Sequence, residues 1–122
     1  MNKADLRCDE HMVLEAGKQY LIPLGIAMEL PPSYEAYVLP RGSSFKNWGV
    51  LQTNSTGIVD NAYCGNEDFW FWPVFATRDA IIEKYERVCQ FRIQLKMPNI
   101  MFEEVETLTG KNRGGHGSSG TK

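Results

Sequence analysis

The chain has 122 residues and a formal net charge of −2. That length suits one domain rather than two. With 43% apolar residues, a packed core is expected and wholesale disorder is excluded. The slight negative charge gives no general attraction to nucleic-acid backbone or to an anionic membrane. No membrane contact and no direct nucleic-acid binding are therefore expected, and any phosphate must be held by local basic groups. No apolar run approaches the roughly 18 residues needed to span a bilayer, and the N-terminus lacks a signal-peptide pattern, so a cytoplasmic protein is expected. Cys8, Cys64 and Cys89 are odd in number and far apart. They predict reduced, mostly buried thiols rather than a disulfide framework or a zinc knuckle.

Along the chain the pattern is strand, turn, strand. Leu21 to Leu30 is apolar but interrupted by Pro23 and Gly25, which a central helix would not tolerate. Pro31-Pro32-Ser33 predicts a turn. Tyr34 to Leu39 alternates, with Tyr34, Ala36 and Val38 on one face. Gly49 to Asp60 places Val50, Leu51, Ile58 and Val59 around the turn-rich segment Thr53 to Gly57. Phe69 to Trp72 is a strand-like aromatic run expected to end at Pro73, with Phe69 and Phe71 on one face and Trp70 and Trp72 on the other. Asp79 to Arg87 has Ile81, Ile82 and Tyr85 at helical spacing and predicts a short helix. Val88 to Leu95 alternates as a strand. Many short strands between Gly/Pro turns predict an all-β barrel or sandwich.

The tail from Lys111 to Lys122 holds four glycines, two serines, three basic residues and no aliphatic side chain. It cannot contribute much to a core. Three readings compete for it: a leftover linker, an inert terminus, or a flap that closes over an anion with Arg113 and glycine amides as donors. Gly115 and Gly120 have P-loop separation, but Thr121-Lys122 reverses the order that loop requires.

Three polar clusters interrupt the apolar pattern. Pro40-Arg41-Gly42-Ser43-Ser44-Phe45-Lys46 combines two cations, hydroxyls and a glycine, which suits phosphate oxygens; the alternative is a solvated turn. Gly57-Ile58-Val59-Asp60-Asn61-Ala62-Tyr63-Cys64-Gly65 places an acid directly after two β-branched residues, at a strand end, where it can act as a general base or merely start a turn. In Arg87-Val88-Cys89-Gln90 the arginine and glutamine either reach a polar site or face solvent.

Taken together and in this order, these clusters resemble the five motifs of the trimeric deoxyuridine triphosphatases (dUTPases). Ala4-Asp5-Leu6-Arg7 resembles the first motif, Pro40 to Ser43 with Lys46 the second, and Gly57 to Gly65 the third. Arg87 to Gln90 resembles the fourth, and Arg113 to Gly120 the fifth, a glycine-rich C-terminal arm. Pro23 to Ala27 followed by Leu30-Pro31 is also typical of the family. The resemblance implies a small jelly-roll-like β-barrel over residues 1–110, a flexible arm over 111–122, and assembly as a homotrimer whose sites draw on more than one subunit. It implies hydrolysis of dUTP to dUMP and pyrophosphate, by water attack on the α-phosphorus, which keeps uracil out of DNA and supplies dUMP. Asp60 is the expected catalytic base. Tyr63 is expected to pack against the deoxyribose and Asn54 to read the uracil edge. Arg41, Ser43, Gln90, Arg113, Ser118 and Ser119 are expected to hold the phosphates or order water near them. Mg²⁺ is the expected cofactor, held mainly by the triphosphate oxygens with Asp5 acting through water.

The chain departs from the family pattern at three places. Gly42 stands where the second motif has a serine that contacts the phosphate chain, with Ser43 and Ser44 next to it as stand-ins. His116 stands where most members have the phenylalanine that stacks on uracil, and we expect Phe71 to supply a covering ring instead. The chain also begins at the first motif, without the strand usual before it. Two other functions fit the same pattern: a weakened, nucleotide-responsive trimer that acts by binding another protein, and a deaminase of the same fold acting on dCTP.

Overall fold

The computed structural model of the protein describes residues 4–114. Nine strands and one short helix form three antiparallel sheets around one apolar core. The largest sheet joins β1 (Ala4–Arg7), β9 (Arg87–Leu95), β4 (Tyr34–Pro40) and β6 (Gly57–Asp60), in that order. A second pairs β2 (Met12–Leu14) with β8 (Ala80–Ile82). The third places β7 (Phe71–Ala76) between β3 (Gln19–Pro23) and β5 (Val50–Gln52). Strands adjacent in a sheet are mostly distant in sequence, so the core is closed by long-range contacts.

The alternation read from the sequence decides which face of each strand is buried. On β4, Ala36 and Val38 enter the core. In the aromatic run, Trp70 and Trp72 are buried while Phe69 and Phe71 stay about half exposed, as the alternation predicts. The run does not end at Pro73, however; β7 continues to Ala76. Pro73 is tolerated because its carbonyl faces the β5 side and accepts from Thr53 N at 3.0 Å, just past the last residue of β5. The missing N–H therefore falls where that ladder has already stopped.

The helix expected over Asp79 to Arg87 is absent. Its first part is β8, paired with β2 so that Ile82 is buried and Ile81 faces outward. Tyr85 has φ 73°, a left-handed conformation that closes the turn into β9 and that no helix interior accommodates. The helix that does form, α1 (Ser44–Trp48), is one the sequence pattern did not announce. Ser44 and Trp48 are its buried positions. It stops at Gly49, whose φ of 66° reaches the left-handed region and whose Cα lies so near Arg78 that a Cβ would stand 2.6 Å from its side chain.

The strand β9 departs from strict alternation. Leu6 pairs with Cys89 but Arg7 pairs with Arg87, so Val88 is an extra residue and the register shifts there. This bulge turns both Val88 and Cys89 into the core. Cys8 and Cys89 are buried and Cys64 is exposed, and all three are free. Burial raises the Cys8 thiol above its usual value and pushes the Cys89 thiol well above it. No described helix is long and apolar enough to cross a membrane.

Candidate active site

A cleft of about 450 Å³ opens between the turn that joins β5 to β6 and the start of β7. The strands place its polar groups. Asp60 is the last residue of β6, and the chain turns immediately so that Tyr63 N donates to Asp60 O at 3.0 Å. The same turn brings Ala62 N to Asp60 Oδ2 at 2.8 Å. Tyr63 is pinned by its hydroxyl, which donates to Phe69 O at 2.8 Å. Its ring therefore holds a fixed position beside Phe69 and Phe71 in the cleft lining. Asn54 sits in the turn between β5 and β6, and Gly57 near it is in a tight place: a Cβ would stand 3.2 Å from Asn54 Nδ2 and 3.3 Å from Val38 Cβ.

Lys96, just beyond the end of β9, reaches the same acid. Its ammonium lies 2.5 Å from Asp60 Oδ1 and also donates to Asn61 Oδ1. This hydrogen bond, followed by that from the Ala62 amide, holds the Asp60 carboxyl below the usual carboxylate range. Asp60 remains 53% exposed, so the group stays open to water.

A second, smaller cleft of about 290 Å³ is lined by Asp5, Arg41, Gly42, Ser43 and Gln90. Strand register assembles it. Asp5 on β1 and Leu39 on β4 both face Gln90 on the intervening β9. Gln90 Nε2 donates to Pro40 O at 2.8 Å. Arg41 is held by its own side chain, which donates to Arg87 O at 3.0 Å. Asp5 sits between two guanidinium groups, 3.5 Å from Arg41 Nε and 3.5 Å from Arg87 Nη1. Two cations against one acid leave a net positive surface suited to phosphate. Of the two serines beside Gly42, Ser44 is already committed. It is buried, donates to Val88 O at 2.6 Å and accepts from Arg41 N at 3.0 Å. Ser43 makes no side-chain cap to α1.

The structure thus groups Asn54, Asp60, Tyr63 and Phe71 in one cleft and Asp5, Arg41, Ser43 and Gln90 in another; the two linings share no residue. Arg113 lies in an exposed stretch after β9 that has no regular element. His116, Ser118 and Ser119 lie outside the described residues. Sequence reasoning missed Lys96, which follows the last apolar residue of β9, and Gln52, a polar residue following Val50 and Leu51 in β5. Among the described residues, no group of three or more His, Cys, Asp or Glu side chains is placed to hold a metal ion.

Comparison with known proteins agrees with this geometry. A family model described as dUTPase matches residues 4–122. The chain is 53% identical over 118 residues to the SPbeta prophage-derived deoxyuridine 5'-triphosphate nucleotidohydrolase YosS of Bacillus subtilis, covering 97% of this chain and 83% of that protein. It is 33% identical to the deoxyuridine 5'-triphosphate nucleotidohydrolase of a Thermoanaerobacter species, covering 91% and 75% of the two chains. Among solved structures, the dUTPase from Streptococcus mutans superposes with a TM-score of 0.74 at 24% identity, over 83% of each chain. A point mutant of the dUTPase from phage phi11 of S. aureus, whose structure describes a structural Mg(II) ion, gives 0.74 at 15% identity, over 88% of this chain and 84% of that one. The fold is accordingly the jelly-roll-like barrel of these proteins. By the span of the family match and the identity to its relatives, this chain belongs to the dUTPase family.

Proposed function

We propose that the chain hydrolyses dUTP to dUMP and pyrophosphate. The observation that carries this is the first cleft, where an amide, a pinned tyrosine ring and an ionised carboxylate line one wall. The pinned Tyr63 ring offers a flat surface to a sugar and leaves no room for a ribose hydroxyl. Asn54 faces the space a pyrimidine edge would fill. Asp60 accepts a proton from water as the water oxygen bonds to the α-phosphorus. The bond from that phosphorus to the bridging oxygen breaks, and pyrophosphate leaves with the electron pair. Arg41, Ser43 and Gln90 cradle the phosphate chain, and Arg113, His116, Ser118 and Ser119 belong to an arm over residues 111–122 that completes the enclosure. Phe71 covers the uracil ring.

Mg²⁺ fits this site as a passenger on the substrate. It is a hard cation that prefers oxygen, and the triphosphate supplies that oxygen. Asp5, the acid in the lining of the second cleft, would reach it through water. Bound there, it neutralises phosphate charge. The working unit is a homotrimer. In support, the two clefts share no residue within one chain, as expected when each site takes parts from different subunits. Incubation with dUTP and with dCTP, following pyrophosphate and ammonia, tests the reading: pyrophosphate from dUTP is expected, and ammonia from dCTP would instead mark a deaminase.

A further inference from the structure

Trp72 and Gln52 form a chain of hydrogen bonds that ends on Asn54. Trp72 is buried at 0% exposure in the core, and its indole N–H can only donate. It donates to Gln52 Oε1 at 2.6 Å. An amide can be turned either way round, but this contact leaves one choice: the oxygen of Gln52 must face the indole. Gln52 Nε2 is then the donor, and its two hydrogens are shared among three oxygens, Val38 O at 2.9 Å, Asn54 Oδ1 at 2.9 Å and Ser55 O at 3.1 Å. Each acceptor belongs to the turn between β5 and β6 or to β4, the strand that pairs with β6. Ser55 is itself strained, with φ 56° in the left-handed region, and the contact to its carbonyl steadies that turn.

The consequence falls on Asn54. Its oxygen is turned toward Gln52, so its Nδ2, beside Gly57, is the end of the amide offered to the cleft. Resting on the reading of this cleft as the base pocket, we propose that Trp72 and Gln52 are positioning residues that fix the Asn54 amide as a donor, so that the pocket accepts a ring carbonyl and rejects an exocyclic amine. A uracil carbonyl accepts from Nδ2, whereas the cytosine amino group would bring donor against donor. A buried mismatch of that kind discriminates strongly, because neither partner finds another acceptor.

The test is the ratio of affinities for non-hydrolysable dUTP and dCTP analogues, measured by calorimetry on the full chain. In Gln52→Glu one carboxylate oxygen still accepts from Trp72. The other can only accept, so Asn54 turns its Nδ2 toward it and presents Oδ1 to the cleft. The preference for the uracil analogue should fall roughly ten- to hundredfold. Trp72→Phe keeps the ring but removes the indole N–H, freeing the Gln52 amide to turn; it should shift the ratio the same way by a smaller factor. A merely structural role would weaken both analogues alike and leave the ratio untouched. If either folded variant keeps the parent ratio, the proposal is wrong. A parent protein with no preference for the uracil analogue would overturn the underlying function as well.

Discussion

Both oxygens of Asp60 are occupied, one by the Ala62 amide and one by Lys96. The acid is therefore oriented by the turn it starts and kept ionised by a residue remote in sequence. If Asp60 is the base, Asp60→Asn should keep nucleotide affinity and lower kcat by roughly 10²–10⁴-fold, read by steady-state kinetics; turnover near the parent level would exclude it. Lys96→Met tests the ionisation. The lysine depresses the carboxyl, so activity needing the ionised form extends to lower pH with Lys96 than without it. Its removal should move the acid limb of the kcat–pH profile upward. The stability linkage has the same sign: a depressed carboxyl stabilises the fold above its unfolded value, and this is lost as pH falls through the folded one. At Gly42 nothing lies within 4 Å of where a Cβ would stand, so Gly42→Ser adds a hydroxyl to the phosphate cleft without a clash. Ser44 cannot substitute for that donor, because its hydroxyl is already engaged with Val88 O and the Arg41 amide. Gly42→Ser should raise kcat about tenfold or more, as expected for a hydrogen bond worth about 1.5–3 kcal/mol to a charged group, with little change in analogue binding. Unchanged turnover would mean that Ser43 already supplies the donor.

At the scale of elements, β7 divides stability from binding between its two faces. Trp72 is fully buried, while Phe71, one residue away, is 46% exposed at the cleft. Trp72→Ala should cost about 3–5 kcal/mol in urea denaturation, through the cavity it leaves. Phe71→Ala should cost far less stability but weaken nucleotide binding, because a ring face is lost beside the base. A Phe71 variant that binds as tightly as the parent would show that some other ring covers the uracil. β9 has a comparable division of labour, achieved differently. Its bulge at Val88 sends two successive side chains into the core and resets the phase, so that Gln90 enters the second cleft while Arg87 supports it from the rim. The indole N–H of Trp70 has no hydrogen-bond partner among the described residues although it is buried. Its ring meets Phe91 edge-on at 5.5 Å.

For the whole molecule, one chain offers two separate clefts and several exposed aliphatic side chains on its strands, among them Leu21, Leu51, Ile58 and Leu95, each at least 50% exposed. Such side chains mark an interface only where they adjoin in one patch, and Leu21 and Ile58 already line the first cleft, so assembly is a matter for measurement. Size-exclusion with light scattering should give a mass near three times 13.9 kDa. Mixing provides the sharper test. Asp60→Asn damages the first cleft and Arg41→Ala the second. If the working site joins the first cleft of one subunit to the second of another, refolding the two inactive variants together should restore activity. If each chain is self-sufficient, the mixture stays as inactive as its components.

What the sequence determined by itself is what can be written within a few neighbouring residues. Period-two alternation settled the buried faces of β4 and of the aromatic run, and turn chemistry placed the turn carrying Asn54 and the acid at the end of β6. The string from Gly57 to Gly65 made the candidate base legible, since a strand end and its turn are local objects, whereas the sugar-packing role expected of Tyr63 came from the family resemblance. The tertiary structure alone decided the rest. Lys96 meets Asp60, and Trp72 meets Gln52, only through the pairing of strands remote in sequence. The misread helix at Asp79 to Arg87 has the same origin. Its apolar spacing suits a helix as well as a strand, and the pairing of β8 with β2 settled the choice. Register between distant strands is a collective property of the whole core, so partners across it cannot be read from either strand alone.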